Sequence, residues 1–248
     1  MGVTFIDLAS GGTFSRNENT VFTQASLIKL PVLLELFRQD QEGKLKLTDR
    51  VALRDEDKVG GEGVLQHMEA GGARLSLEDL AVLMMAISDN TAANILIDQV
   101  GIDSVNQRLA SWGLKKSRLQ RRMMDLEARR RGVENLSTPW EMAHLLRRLH
   151  AGELLDAGRT KRVLVLMNTN QAGPFRRRLP ESLEVPHKNG NLEGIRTGAG
   201  LLLIPGRPVA WAIMARGLRD EPAAEEHLSL ILRQAYDYFS DHSCQAPC

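Results

Sequence analysis

Cysteine is nearly absent from this sequence of 248 residues. Its two cysteines, Cys244 and Cys248, both lie in the polar tail SDHSCQAPC, so disulfides cannot hold a core together. Aromatic residues are scarce, at 4%, which argues against a surface on which nucleic-acid bases stack. The formal net charge is only +1, so no overall field attracts nucleic acid or an anionic membrane. We therefore expect neither among its partners.

Long apolar runs are missing as well. No stretch approaches the roughly 20 residues that span a bilayer, and the start MGVTFIDLAS lacks the basic segment and apolar run of a signal peptide. As written, the sequence predicts a cytoplasmic protein; a periplasmic or secreted location is the alternative if a leading segment has been removed. The composition, 43% hydrophobic and 25% charged, is typical of a globular protein with a sizeable core.

Clustered charges and histidines give no sign of a metal or cofactor. The six histidines show no metal-ligand spacing such as H-E-x-x-H, so we expect no metal and no cofactor. Arginine pairs and triplets are candidates for an anionic ligand, but solvated helix faces and loop charges explain them more simply. They occur at 121–122, 129–131, 147–148 and 176–178.

The two ends of the chain predict strands. VTFIDLASGGTFSRN predicts a hairpin around a Gly-Gly turn, and LEVPHKNG, GIRTGAGLLLIPG and PVAWAIMARG predict an antiparallel meander. EPAAEEHLSLILRQAYDYF predicts a closing amphipathic helix. We expect an α/β (α+β) fold, with an antiparallel sheet flanked by helices at about 1–44 and 171–248. The inserted part, about 45–170, predicts an all-helical lobe.

Several helix boundaries can also be predicted. An apolar helix is expected from about 26 to 38. Ser76, with Asp79 three residues later, is a candidate capping box. TAANILIDQVG predicts a helix that ends at Gly101, and Thr138 with Pro139 marks another helix start.

The apolar helix carries two polar residues that could take part in catalysis. Within ASLIKLPVLLELF, Ser26 and Lys29 are three residues apart and therefore share a helix face. A serine hydroxyl becomes a nucleophile when a neighbouring base takes its proton, and a buried lysine can be that base. A surface lysine on an amphipathic helix is the simpler explanation of this pair taken alone.

Two later motifs make the catalytic explanation stronger. Ser88-Asp89-Asn90 lies between two predicted helices, and Lys188-Asn189-Gly190 ends a strand-like run. The three motifs, in this order, are those of S-x-x-K, S-D-N and K-T-G enzymes. FTQASLIKLPVLLEL, MMAISDNTAANILID and HKNGNLEGIRTGAGLL resemble class A β-lactamase-type serine hydrolases of the β-lactamase and penicillin-binding protein superfamily, over essentially the whole chain.

This resemblance implies a role for each matching residue. Ser26 would be the acylated nucleophile, Lys29 its activator, and Ser88 a proton relay to the leaving nitrogen. The oxyanion hole would be formed by the backbone N–H groups of Ser26 and Asn191. Asn90 would bind the substrate's side-chain amide, and Lys188, together with Asn189 and Gly190, would form the carboxylate side of the site. The expected partner is a small β-lactam or D-Ala-D-Ala-like acyl donor, and we expect a monomer.

The sequence departs from the family pattern on the carboxylate side. Asn189 occupies a position that is normally Thr or Ser, so recognition there is expected to shift. Arg196 is the candidate for a second positive charge on this wall, although it lies about one residue from the usual spacing.

A second departure concerns deacylation. Aligned on Leu119 and Arg121, the stretch SRLQRRMMDLEARRRGVENLSTP places Met123 at the position of the family's water-activating glutamate. A positioned general base contributes roughly 10²- to 10⁴-fold in rate, so we expect slow deacylation unless Asp125 or Glu127 turns inward. An ion pair of Arg121 with Glu134 is expected to close this loop.

These observations leave three hypotheses. The leading one is a serine hydrolase acylated at Ser26, with slow β-lactam turnover. The second is a D-alanyl-D-alanine peptidase or small-ester hydrolase that uses the same machinery. The third is a non-catalytic module that binds β-lactams or peptidoglycan.

Overall fold

A computed structural model describes residues 1–170 and 172–241. The expectations for Cys244 and Cys248 lie outside the described residues. The strands are β1 Gly2–Asp7, β2 Thr13–Arg16, β3 Phe22–Thr23, β4 Arg50–Ala52, β5 Arg74–Ser76, β6 Leu136–Ser137, β7 His187–Leu192, β8 Ile195–Leu202 and β9 Val209–Arg216. The helices are α1 Lys29–Gln41, α2 Leu77–Ala86, α3 Asn90–Val100, α4 Ile102–Ser111, α5 Leu126–Arg130, α6 Pro139–His150, α7 Ala157–Met167 and α8 Glu221–Asp241.

The chain divides into two compact units. The first contains residues 1–27, 137–151 and 171–248, and the second contains residues 28–136 and 152–170. This division differs from the expected one at two helices. Helix α1 belongs to the second unit, where it packs against α3, α4 and α7, whereas α6 belongs to the first, where it packs against β1, β8 and β9.

The first unit contains a five-stranded antiparallel sheet in the order β2-β1-β9-β8-β7. The predicted hairpin, meander and closing helix are all present, which confirms the expected fold class. Because side chains alternate along a strand, each strand offers one set to each face of the sheet. One set packs with apolar residues of α8 in a common core, which includes Val3, Phe5, Trp211, Ile213, Leu228, Leu232 and Phe239.

The second unit is built mainly from helices α1 to α5 and α7. It also contains a short antiparallel pair, β4 with β5, so the expectation of helices and loops alone was incomplete. Three-residue strands are too short to show an alternating pattern in the sequence.

The predicted helix boundaries are confirmed by their caps. Ser76 accepts from Asp79 N at 3.0 Å and its own N–H donates to the Asp79 carboxylate, which makes a complete capping box. Helix α3 ends at Gly101, whose φ of 84° suits a residue without a side chain. Thr138 accepts from Glu141 N at the start of α6.

No described helix is long and apolar enough to cross a membrane. Within the same described residues, no group of three or more His, Cys, Asp or Glu side chains is placed to hold a metal ion.

Candidate active site

Lys29 is the first residue of α1, and its ammonium group lies against the α2–α3 junction. Its side chain is fully buried. Nζ donates to Ser88 O at 2.5 Å, to Asn90 Oδ1 at 2.8 Å and to Ser88 Oγ at 3.1 Å. An ammonium group has three N–H donors, so these acceptors offset much of the cost of burying it. The second unit thus brings together three of the predicted site residues.

The α2–α3 junction is held in an unusual conformation. Ser88 has a φ of 58°, which costs energy for any residue with a Cβ. The Asp89 carboxylate holds the turn by accepting from Val64 N at 2.7 Å, Leu65 N at 2.9 Å and Ala92 N at 2.9 Å. The strained turn keeps the Ser88 carbonyl and hydroxyl beside Lys29.

The Asn90 amide is fixed at both ends. Oδ1 accepts from Lys29, and Nδ2 donates to Gly60 O at 3.1 Å. A side chain on Gly61 would lie 2.7 Å from Nδ2, and its φ of 86° also requires glycine. The loop around Gly60 and Gly61 therefore orients the Asn90 amide, which has a second N–H for other partners.

Ser26 lies in a single 3₁₀ turn, Ala25–Ile28, that leads directly into α1. The helix predicted from about 26 therefore begins as this tighter turn. Ala25, the residue before Ser26, has a φ of 51°, and a non-glycine residue in this region is strained. Strain of this kind is common where a fold presents a reactive side chain.

Gly190 brings strand β7 against the backbone on both sides of Ser26. A methyl group at Gly190 would overlap Gln24 O and lie 2.9 Å from Leu27 N. Thr197, which faces Gly190 across the strands, donates its hydroxyl to Gln24 O at 2.8 Å. The first unit thus places Ser26 near Asn191, the residue after this glycine.

Alternation along β7 separates its polar residues. Lys188 and Gly190 share one face of the strand, and His187 and Asn189 share the other. Lys188 is 1% exposed, and its Nζ donates to Asn189 O at 2.8 Å. His187 is fully buried, and its Nδ1 lies 2.7 Å from Val185 O. Burial lowers the pKa of His187 to about 4, so its ring is neutral near pH 7.

The Asn189 amide is buried and bonded within the protein. Nδ2 donates to Ala172 O at 3.1 Å, and the residue is 7% exposed. The side chain therefore contacts the segment that precedes β7.

Arg196 does not join Lys188 on one face of the sheet. Its guanidinium pairs with Glu225 at 2.8 Å and Glu221 at 2.5 Å, both on α8. It is the neighbouring Thr197 that faces Gly190. One residue along a strand reverses the direction of the side chain, so Arg196 and Thr197 point to opposite faces, and a role for Arg196 in substrate binding stays a prediction.

Met123 lies in a loop that Asn94 of α3 holds by its backbone. Asn94 Oδ1 accepts from Met123 N at 2.7 Å, and Nδ2 donates to Met123 O at 3.1 Å. Met123 is 8% exposed. The expected ion pair closes the same loop, since Arg121 lies 2.7 Å from the Glu134 carboxylate. A thioether thus occupies the buried position at which the alignment expected a carboxylate.

Both alternative acids in this loop have other partners. The Asp125 carboxylate caps α5 by accepting from Ala128 N at 2.9 Å. Glu127 is exposed and forms an ion pair with Arg131, one helical turn away. In this structure neither acid is buried beside Met123.

Sequence reasoning missed two residues that shape the site. Asn94 holds Met123, and its position four residues after Asn90 on α3 was a usable signal, since residues at this spacing share a helix face. Thr197 could be found only from the register of β7 with β8, which the sequence does not state.

The fold and these motifs define a class of protein. The profile of the Beta-lactamase enzyme family matches residues 1–239, and the chain belongs to this family.

Individual relatives agree with this assignment. A β-lactamase of Rhodobacter capsulatus is 31% identical over 158 residues, which are 63% of this chain and 53% of that protein. The chain thus matches about half the length of this relative. The crystal structure of a β-lactamase from Sphaerobacter thermophilus has a TM-score of 0.87 and 33% identity, covering 95% of this chain and 89% of the other. A mutant of PBP-A, solved as an acyl-enzyme complex with penicillin G, has a TM-score of 0.89 and 27% identity, covering 97% and 90%.

Proposed function

We propose that this protein is a serine hydrolase that opens β-lactams or related acyl donors through an acyl-enzyme at Ser26. The observation that carries the proposal is the buried ammonium of Lys29 held between Ser88 and Asn90. Membership of the Beta-lactamase enzyme family supports it. A fully buried lysine among polar acceptors has little structural value, because an apolar side chain would fill the space at lower cost.

In the proposed acylation step, the Ser26 hydroxyl oxygen attacks the substrate carbonyl carbon. Lys29 takes the hydroxyl proton or stabilises its transfer, and the N–H groups of Ser26 and Asn191 stabilise the oxyanion. When the amide C–N bond breaks, Ser88 delivers a proton to the leaving nitrogen. The second N–H of Asn90 binds the acyl side-chain amide.

We propose that deacylation is slow. Hydrolysis of the Ser26 ester requires a base that takes a proton from water, and the Met123 thioether cannot do so. Asp125 and Glu127 have other partners in the same loop. A missing general base lowers a rate by roughly 10²- to 10⁴-fold, so a penicillin adduct is expected to persist.

The first experiment is intact-protein mass spectrometry during incubation with a penicillin. We expect the mass of the whole penicillin to add within minutes and to remain for hours, since ring opening releases no leaving group. Ser26→Ala is the control and should show no adduct. Rapid consumption of the drug without a lasting adduct would contradict slow deacylation. No adduct and no consumption would contradict acylation by β-lactams.

A second experiment tests the role of Met123. We expect Met123→Glu to shorten the lifetime of the adduct by about 10²-fold or more. Met124→Glu is the matched control, since it adds the same charge at the next position, where the side chain is 40% exposed. Equal effects of the two variants would show that charge in the loop, not a base at position 123, changes the rate.

The esterase and peptidase hypothesis keeps the same Ser26 chemistry with a different acyl donor. One observation favours including it, namely that the Asn189 amide is engaged with Ala172. Turnover of a thioester or a p-nitrophenyl ester, together with slow release of penicillin, would identify this activity.

A further inference from the structure

Three side chains were expected to form the carboxylate side of the site, and all three are engaged within the protein. Lys188 is buried, and its ammonium donates to Asn189 O. Arg196 pairs with two α8 carboxylates. Asn189 donates one of its two amide hydrogens to Ala172 O. Each of these contacts uses a donor that could otherwise bind a substrate carboxylate.

The Asn189 side chain is the most unusual of the three. Its Oδ1 is buried and has no hydrogen-bond partner among the described residues, whereas buried acceptors usually have one. The bond from Nδ2 to a carbonyl fixes the orientation of the amide, since only the NH₂ group can donate. A hydroxyl, by contrast, offers both a donor and an acceptor. The replacement therefore gives the strand a buried, unpaired acceptor in place of a hydroxyl that could donate.

Two glycines make room for this arrangement. Gly173 has a φ of 96°, and a side chain there would lie 2.5 Å from Asn189 Nδ2. Gly198 faces Asn189 across the strands, and a side chain there would overlap the Phe175 ring. The segment from Ala172 to Phe175 is thus packed onto β7 and β8, with Asn189 as its polar attachment.

We infer that Asn189 is a positioning residue for the segment 172–175, and that acylation of Ser26 discriminates little between acyl donors with and without a carboxylate on the leaving group. This inference rests on the proposed function. It extends the expected substrate class from acyl donors with an anionic leaving group to those whose leaving group is neutral.

The test uses two esters that form the same acyl-enzyme. Both carry a phenylacetylglycyl group; the leaving group is 3-hydroxybenzoate in one and 3-hydroxybenzamide in the other. In each case the Ser26 oxygen replaces the phenolic oxygen at the carbonyl carbon, and the phenol leaves with one proton. Acylation rate constants are divided by the rates of hydroxide-catalysed hydrolysis, which removes the intrinsic difference in reactivity.

For the natural chain we expect the two normalised rates to agree within about threefold, because no strong hydrogen bond to the leaving-group carboxylate is expected. Such a bond to a charged group would raise the acylation rate of the carboxylate ester by roughly 10- to 100-fold. A preference of more than about tenfold for the carboxylate ester would overturn the inference while leaving acylation of Ser26 intact. Absence of an adduct with either ester, or with penicillin, would overturn the proposed function as well.

Two variants distinguish the effect of adding a hydroxyl donor from the effect of losing the Asn189 amide. Asn189→Thr restores a donor, and we expect it to raise the carboxylate preference about tenfold. Asn189→Ala removes the bond to Ala172 without adding a donor, so its preference should stay near that of the natural chain. Both variants lack the bond to Ala172, so an equal change in their carboxylate preference would show that the attachment of 172–175, not the missing donor, sets the preference, and would overturn the inference. Thermal unfolding midpoints show whether each variant is folded, and the comparison of the two esters in the natural chain needs no variant.

Discussion

Acid is expected to destabilise this protein through one histidine. His187 lies on β7 next to Lys188, is fully buried, and has a pKa lowered to about 4 by burial. In the unfolded chain the imidazole returns to its ordinary pKa of 6.5. Between these values the unfolded state binds more protons than the folded state. The free energy of unfolding therefore falls as the pH falls through this window.

The size of the effect follows from the two pKa values. Each unit of difference is worth about 1.4 kcal/mol once the pH is below both. Relative to pH 7, titration of His187 should lower the free energy of unfolding by about 2 kcal/mol at pH 5 and by about 3 kcal/mol at pH 4. A loss of this size is a large part of the stability of an ordinary domain.

The assay is urea unfolding, followed by circular dichroism, at several pH values from 7.5 to 4. His187→Gln removes the titrating ring and keeps an N–H that can reach Val185 O. Between pH 7 and pH 5 or 4, the variant should therefore lose less unfolding free energy than the natural chain, by the amounts given above. His227→Gln, at an exposed position on α8, is the matched control and should keep the slope of the natural chain. If His187→Gln and the natural chain lose stability in parallel, burial of His187 is not the cause.

Three further changes test the geometry of the site. Gly190→Ala should lower acylation by about 100-fold or more, because the methyl group pushes β7 away from the backbone beside the nucleophile; acylation at the natural rate would refute this close approach. Asn94→Ala should lower the free energy of unfolding by roughly 2 kcal/mol through loss of two bonds to Met123, and an unchanged urea midpoint would contradict it. Glu134→Gln should lower the free energy of unfolding by roughly 2 to 3 kcal/mol, because it leaves the buried Arg121 without an opposite charge. An unchanged unfolding temperature would show that the ion pair contributes nothing.

Local signals in the sequence were sufficient for most of the fold. The capping box of Ser76, the glycine after α3 and the Thr138–Pro139 start of α6 each act within a few residues, so their outcome does not depend on distant parts of the chain. The sequence does not show to which unit α1 and α6 belong, because an apolar face indicates burial and does not identify the elements it packs against. The partner is decided by packing between elements that are far apart in the sequence.

In the site, too, local features were predictable from the sequence, and features that depend on strand register or loop conformation were not. The motifs predict Ser26, Lys29 and Ser88 as site residues from their spacing, and the structure places the Lys29 ammonium beside Ser88. The ion pairs of Arg196 with α8 could not be predicted, because the direction of its side chain depends on the register of β8, where one step reverses the side chain. The partner of Asn189 was not predictable, since the bond to Ala172 requires the conformation of a loop that carries no repeating pattern.

The order of strands has a consequence for synthesis on the ribosome. Strand β1 pairs on one side with β2 and on the other with β9, so that Val3 faces Ile213. At an elongation rate of about 5 to 20 residues per second, roughly 10 to 40 s separate the appearance of these partners. During that time one edge of β1 has unpaired backbone groups, which are a hazard for aggregation. The nascent chain must therefore keep its first hairpin from pairing with other chains until its last strand has emerged.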